Sequence, residues 1–314
     1  MITFALRDGG MKEVQEFEKQ FADFMGVKYA VATSSGTMAD IIALGVLKEK
    51  FPDKKKVLLP ALTFAAQLNA VLHNGLEPVF YDTGGEFNIT SKYELLCTFP
   101  VHLLGKPFLI FYEDVPMIED SCEALGSKFD GKFCGTMGDM GTFSFYVTHT
   151  LTTGEGGMIV TNNEEYASIA RSLRDHGHSS EKFKFDRIGW NGKMSKQAAL
   201  LGLEGMKTLK EDLEKRHENY LYLGGKENKN EYIVPHGFPA YYENRDEKMK
   251  ELKEKGIDSR RIFSSLPTQE KAYTFLGYKE GDFPIAEEIG RTGLYVPCHQ
   301  NLTKEELDHI KINL

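Results

Sequence analysis

Apolar residues recur at helical spacing from the first patterned segment of the chain. In MKEVQEFEKQFADFMG, Val14, Phe17, Phe21 and Phe24 fall three or four positions apart, and Gly26 suits a helix C-cap. An apolar run at 29–32 reads as a strand, and Thr33-Ser34-Ser35-Gly36-Thr37 then leads into MADIIALGVLKEK, a second helix. The alternation repeats with a strand at 57–59, a helix at 64–72 and a strand at 78–81; weaker strand signals lie at 109–112 and 117–118. Strands alternating with helices of this length imply an α/β fold, a mostly parallel sheet sandwiched by helices. Ligands in such sheets collect at the carboxyl ends of the strands, which puts the loops 34–37, 119–123 and 144–153 on the functional edge. From Met206 to Tyr222 the pattern changes to a long charged helix, and beyond it short strands mix with lysine-rich helices. A large domain over 1–205 and a small C-terminal α+β domain over 206–314 are expected.

Composition narrows the class without supplying chemistry. The 314 residues are 41% hydrophobic and 11% aromatic, enough for a sizeable core, and no repeat or low-complexity tract interrupts them. A formal net charge of -8 argues against a nucleic-acid partner, because neutralising phosphates takes clustered Lys and Arg. The lysine runs at 54–56 and 248–255 are diluted by acids or sit beside Pro52, and read as solvated faces. No apolar stretch approaches the ~20 residues of a membrane span, and MITFALRDGG does not have the make-up of a secretory leader, so a cytoplasmic protein is expected. Cys97, Cys122, Cys134 and Cys298 lie too far apart for a metal or redox pair; four free thiols and no metal site are expected.

Three segments carry candidate chemistry. The Ser-Ser-Gly-Thr turn between strand and helix offers backbone N–H groups, hydroxyls and a helix N-terminus to an anion, although helices also begin this way for capping alone. Ile118-Glu119-Asp120 ends an apolar strand on two acids, either solvated loop residues or a partner for a cationic ring nitrogen. The stretch from Gly135 to Thr161 combines a glycine-rich approach, a strand, a polar loop and a GEGG turn into another strand. Ser144, Thr148, His149 and Thr152 have little reason to cluster there for packing.

The motifs ATSSGTMA, LPALTFAAQLNAV, PVHLLGKP, IEDSCEALGSKFDGKFCGTMGD, FSFYVTHTLTTGEGG and GWNGKMSKQAALLGL, in that order, resemble the fold-type I pyridoxal-phosphate family that aminates or deoxygenates nucleotide-linked 4-keto sugars. The resemblance implies that Ser35, Gly36, Thr37 and Ser144 hold the cofactor phosphate and that Asp120 pairs with the pyridine nitrogen. Phe64 falls in the segment that supplies a ring-stacking side chain, with a core phenylalanine as the alternative. Asn191 matches a residue that reaches the partner subunit's phosphate, implying a homodimer. Arg260, Arg261 and His299 lie in segments that border the family's substrate site.

Two departures redirect that reading. His149 stands where the family carries its cofactor-binding lysine, and no lysine occurs between Lys132 and Lys182; Glu123 stands where glutamine or histidine is usual. Both resemble the 3-dehydratase branch, of the kind that acts on GDP-4-keto-6-deoxymannose. An imidazole cannot hold the cofactor covalently, but it keeps acid–base capacity near neutral pH. The resemblance therefore implies a pyridoxamine 5'-phosphate and pyridoxal 5'-phosphate enzyme, with His149 moving a proton and L-glutamate restoring the amine. The stretch after GEGG has no cysteine, which implies the type without an iron–sulfur cluster. The chain opens almost directly at MKEVQEFEKQF, where family members carry a further helix, so part of the substrate rim is expected to differ. The competing readings are an aminotransferase acting without the lysine and a non-catalytic relative that binds cofactor or sugar.

Overall fold

The computed structural model describes residues 11–83, 94–179, 181, 183–263 and 266–314. Its elements in chain order begin with α1 (Met11–Met25), β1 (Tyr29–Thr33), α2 (Gly36–Lys50), β2 (Lys56–Pro60), α3 (Ala65–His73), β3 (Glu77–Tyr81), β4 (Leu95–Thr98) and β5 (Ile118–Asp120). A hairpin of β6 (Lys128–Phe129) and β7 (Lys132–Phe133) precedes β8 (Met140–Ser144), β9 (Gly157–Thr161) and α4 (Glu164–Arg174). Then come α5 (Lys196–Met206), α6 (Leu209–Tyr222), β10 (Glu231–Tyr232), β11 (Phe238–Tyr241), α7 (Arg245–Glu254), β12 (Arg260–Arg261), α8 (Pro284–Thr292), β13 (Gly293–Val296) and α9 (Lys304–Asn313).

Strands β3, β2 and β4 pair in parallel; β5 pairs in parallel with β8, while β9 runs antiparallel between β8 and β1. Isolated parallel bridges, Thr98↔Met117 and Val101↔Asp120, join the two groups edge to edge. The result is the mostly parallel α/β sheet that the alternation predicts, with its one reversal at β9. Helix α2 is buried from Ala39 to Leu47, consistent with its near-continuous apolar sequence, and packs between the sheet and helices α3 and α4. Amphipathic α1 covers the opposite face: Phe17 and Phe21 are fully buried, with ring centroids 5.3–5.5 Å from Phe143 and Phe145 of the β8 segment. Glu18 of α1 accepts the Ala32 N–H at 2.8 Å and pairs with Arg174 at 2.5 Å, tying α1 and α4 to β1 inside the core.

The predicted strand at 109–112 is not one. That segment lies between Pro107 and Pro116, and Ile110 is buried against Leu58, Tyr81 and Leu95 as a cover rather than a ladder member. β4 went unpredicted. Lys207 and Thr208 separate α5 from α6, and α6 bridges two cores: Leu209 and Leu213 pack with Phe17 and Phe143, whereas Tyr220 packs with Ile257, Leu294 and Leu307 around the antiparallel sheet β11–β13–β12.

Candidate active site

The carboxyl ends of β1, β5 and β8 converge on the N-terminus of α2. Ser35 caps that helix, accepting the Met38 N–H at 3.1 Å, and Thr33 Oγ1 donates to the Ser35 carbonyl at 2.9 Å. The first N–H groups of a helix have no partner within it, so Gly36 and Thr37 present theirs outward. A Cβ on Gly36 would lie 2.6 Å from Ser144 Cβ and 3.1 Å from Cys122 Sγ, so only glycine lets the turn close against β8 and the end of β5. Gly157 does the same for the GEGG turn, passing the Ser35 carbonyl where a Cβ would come within 2.3 Å. Ser35, Gly36, Thr37 and Ser144, named as a phosphate cradle, are thus brought together.

Strand alternation sends the two acids of β5 to opposite sides. Glu119 is fully buried and holds the glycine-rich approach, accepting N–H bonds from Gly135, Met137 and Gly138 at 2.6–2.8 Å and pairing with His102 Nε2 at 2.9 Å. His102 accepts the Phe108 N–H through Nδ1, so it is a structural residue. Asp120, also buried, points to the α2 side and accepts the Cys122 N–H at 3.1 Å. Burial raises its carboxyl above the ordinary range; Glu123 adds to the rise, while Cys122 and His102 oppose it. Glu123 accepts the Leu104 N–H at 2.8 Å, and burial pushes it up to about 7.

His149 sits in a loop pinned at both ends. Phe145 N–H donates to the Gly156 carbonyl at 2.8 Å, and Thr153 N–H to the Phe145 carbonyl at 2.9 Å; Tyr146 and Gly154 form a parallel bridge. The imidazole is half-buried, 5.0 Å between centroids from His236, with Arg216 nearby. Burial, then the positive potential of His236 and Arg216, lowers its pKa to about 3. These effects hold the ring of the free protein in its neutral form at pH 7.

His236 and Arg216 are the neighbours that sequence reasoning missed. Arg216 is buried on α6, bonded to Gln300 at 2.8 Å and to the Pro235 carbonyl at 3.1 Å, within the run that reads as a long charged helix. His236 stacks edge-on toward Tyr295, and burial with Arg216 and Arg260 lowers it to about 4. No local motif marks either residue.

The other named residues divide. Arg260 acts on His236 and bonds Tyr295, whereas Arg261, one step along β12, turns away and pairs with Asp246 at 2.9 Å. His299 lies near Arg216 and lines a hollow of about 500 Å³ with Asp258, Glu306 and His309; its buried Nδ1 has no hydrogen-bond partner among the described residues. Phe64 is 65% exposed at the start of α3, 6.2 Å from the Phe263 ring, which excludes the core alternative in this chain. Asn191 is exposed, and its neighbour Gly192 accepts the Ser34 N–H at 2.8 Å, placing it beside the turn before α2.

A cofactor carrying a phosphate and a basic ring suits this arrangement on two counts. Gly36 leaves open the space a Cβ would occupy beside Ser144. One helical turn on, buried Asp40 Oδ1 has no hydrogen-bond partner among the described residues. Relatives agree with that fit. The chain is 34% identical to a GDP-perosamine synthase of Caulobacter vibrioides, over 95% of this chain and 88% of that one. It is 28% identical to a GDP-4-keto-6-deoxy-D-mannose 3-dehydratase of Yersinia pseudotuberculosis, over 95% and 90%. The crystal structure of a GDP-4-keto-6-deoxymannose-3-dehydratase variant with bound GDP-perosamine superposes with a TM-score of 0.86 at 26% identity, covering 96% of this chain and 92% of that one. Matched over residues 6–314, the chain belongs to the DegT/DnrJ/EryC1/StrS aminotransferase family, whose enzymes use pyridoxal or pyridoxamine phosphate.

Proposed function

We propose that this enzyme removes the 3-hydroxyl of a nucleotide-linked 4-keto-6-deoxy sugar, a PMP/PLP-dependent 3-dehydratase. The observation that carries the reading is His149: a neutral imidazole stands on the pinned loop before GEGG, in a stretch without lysine from 133 to 181. When bound, the cofactor supplies an amine and an electron-poor ring. In this reading Ser35, Gly36, Thr37 and Ser144 bind its phosphate, Phe64 covers its ring, and Asp120 holds its ring nitrogen. Asn191 reaches the phosphate of a second copy, so the unit is a homodimer. His149 accepts the proton from the carbon that bears the amine, and the hydroxyl leaves from the neighbouring sugar carbon. Arg260 meets the substrate's diphosphate, with Arg261 and His299 further out. The reaction releases ammonia with the 3-deoxy ketone, so L-glutamate is consumed to restore the amine.

A second reading, transamination at the 4-keto carbon without a covalently held cofactor, is favoured by the 34% identity to a GDP-perosamine synthase. The two differ in product mass. The protein, pyridoxamine phosphate, L-glutamate and a panel of nucleotide-linked 4-keto-6-deoxy sugars are incubated together, and the products are weighed by mass spectrometry. A ketone lighter by one oxygen supports the dehydratase; an amino sugar supports the second reading and overturns the first.

A further inference from the structure

We propose that Asp40 and Asp120 work as one buried acid pair, which keeps a proton while the site is empty and gives it to the cofactor's ring nitrogen on loading. Asp40 is then a positioning residue for Asp120. The proposal rests on the reading above, in which Asp120 faces that nitrogen. Asp40 lies in α2 just beyond the turn that starts with Gly36, inside an otherwise apolar stretch, and is 2% exposed. An oxygen of each carboxyl and the Cys122 sulfur lie within 4.8 Å of one another. Asp40 Oδ1 is buried without a hydrogen-bond partner among the described residues.

Two carboxylates this close, both out of water, cannot both ionise unless a cation joins them. The Thr142 hydroxyl is the one group that favours the charged form of Asp40; burial first and Asp120 second raise it well above the ordinary carboxylate range. The other titratable groups facing the pair are Cys122, Glu123 and His102; hydrogen bonds from Cys122 and, after them, the His102 charge lower Asp120, whereas Glu123 raises it, and none of the three neutralises both carboxyls. No charged residue of α3 or α4, the helices packed on α2, acts on Asp40, and β8 and β9 contain no titratable side chain. A basic ring nitrogen beside Asp120 supplies the missing cation. As the proton moves, the pair goes from one negative charge to two and the ring from neutral to positive, with none exchanged with solvent.

The sign of the linkage makes this testable in the empty protein. A carboxyl whose folded pKa is raised binds its proton more tightly than in the unfolded chain, so its contribution falls as pH rises from about 3.9 through the folded value. Unfolding of the cofactor-free parent and of Asp40→Asn is compared by urea titration between about pH 4 and 9; contributions from other groups cancel in the ratio. The two should match at the acid end, and the variant should gain by up to about tenfold in folding constant per pH unit above it. Parallel curves, or a variant weaker at every pH, overturn the pair.

Carbon-13 titration of the unaltered protein covers the case in which the variant does not fold. One aspartate should stay protonated well above about pH 3.9 and lose its proton when pyridoxal phosphate is added. Aspartates that all titrate in the ordinary range overturn the proposal, and so does a cofactor-free protein stabilised by manganese in the parent but not in Asp40→Asn, which would put a metal in the proton's place. A proton that stays on the aspartate after loading overturns the transfer. The underlying reading fails separately if Asp120→Asn binds pyridoxal phosphate as tightly as the parent.

Discussion

His149 owes its low proton affinity to where it sits rather than to any acid partner. Desolvation, His236 and Arg216 all disfavour the imidazolium, so the ring of the empty site is neutral, the form that the proposed base role requires. Replacing it with asparagine keeps the shape and removes the base. Deoxygenation should fall by ~10²–10⁴-fold while pyridoxamine phosphate binding, measured by fluorescence quenching, stays near the parent value. The pH profile of kcat/KM should lack an imidazole limb near about 6.5, because a base with a folded pKa of about 3 is still neutral there. Glu123, pushed up to about 7, is the group that does titrate in that range. A limb near neutrality that disappears in Glu123→Gln belongs to the carboxyl; one that survives in it but disappears in His149→Asn overturns the assignment. Covalent chemistry offers a third measurement: borohydride reduction of the loaded protein and peptide mapping should yield no pyridoxyl-lysine.

At the scale of elements, the contact of α1 with α5 sets two effects against each other. Gly202 lies in the middle of α5, where alanine would ordinarily add about 1 kcal/mol of helix propensity. A Cβ there meets the Phe17 ring at 2.6 Å, and that ring is wedged against Phe21 and Phe145. Overpacking of this kind costs about 1–3 kcal/mol, so Gly202→Ala should lower the urea midpoint rather than raise it. Asn163, whose side chain accepts N–H bonds from Glu165 and Tyr166, caps α4; Asn163→Ala should cost about 1 kcal/mol in the same assay. Legibility in the sequence follows from what a pattern can report. The helices α1 and α2 and the strands β1 to β3 were readable because long apolar periodicity signals burial, and the glycine-bracketed turns were readable because their backbone chemistry is local. The 109–112 run misled because apolarity reports burial but not ladder pairing. Arg216, His236 and Asp40 were illegible: each is a polar residue whose surroundings are set by elements distant in sequence, and α6 brings Arg216 to His149 from about seventy positions away.

For the whole molecule, several apolar side chains left in solvent flank Asn191 in sequence or lie on the His149 loop. Ile188 is 97% exposed, and Phe185, Leu200 and Leu201 are exposed on either side of Asn191; Tyr146 and Val147 are exposed on the His149 loop. Surfaces of this kind mark contact sites, which fits a homodimer with a shared active site. Sedimentation velocity should give a dimer at micromolar concentration, and Ile188→Asp should shift it toward monomer and weaken pyridoxamine phosphate binding together. Weakened assembly with unchanged binding would remove Asn191 from the site. Among the described residues no helix is long and apolar enough to cross a membrane.

The pinning of the His149 loop at Phe145, Thr153 and Gly154 has a consequence for how such a reaction is inherited. The frame does not depend on the side chain at 149, so the chemistry is exchangeable there without rebuilding the turn. Histidine and lysine codons are not a single base change apart; the steps between them encode asparagine or glutamine, neither of which is a base or a covalent anchor. A lineage moving from one chemistry to the other by point mutation crosses an inactive ancestor, unless a duplicate gene covers the loss.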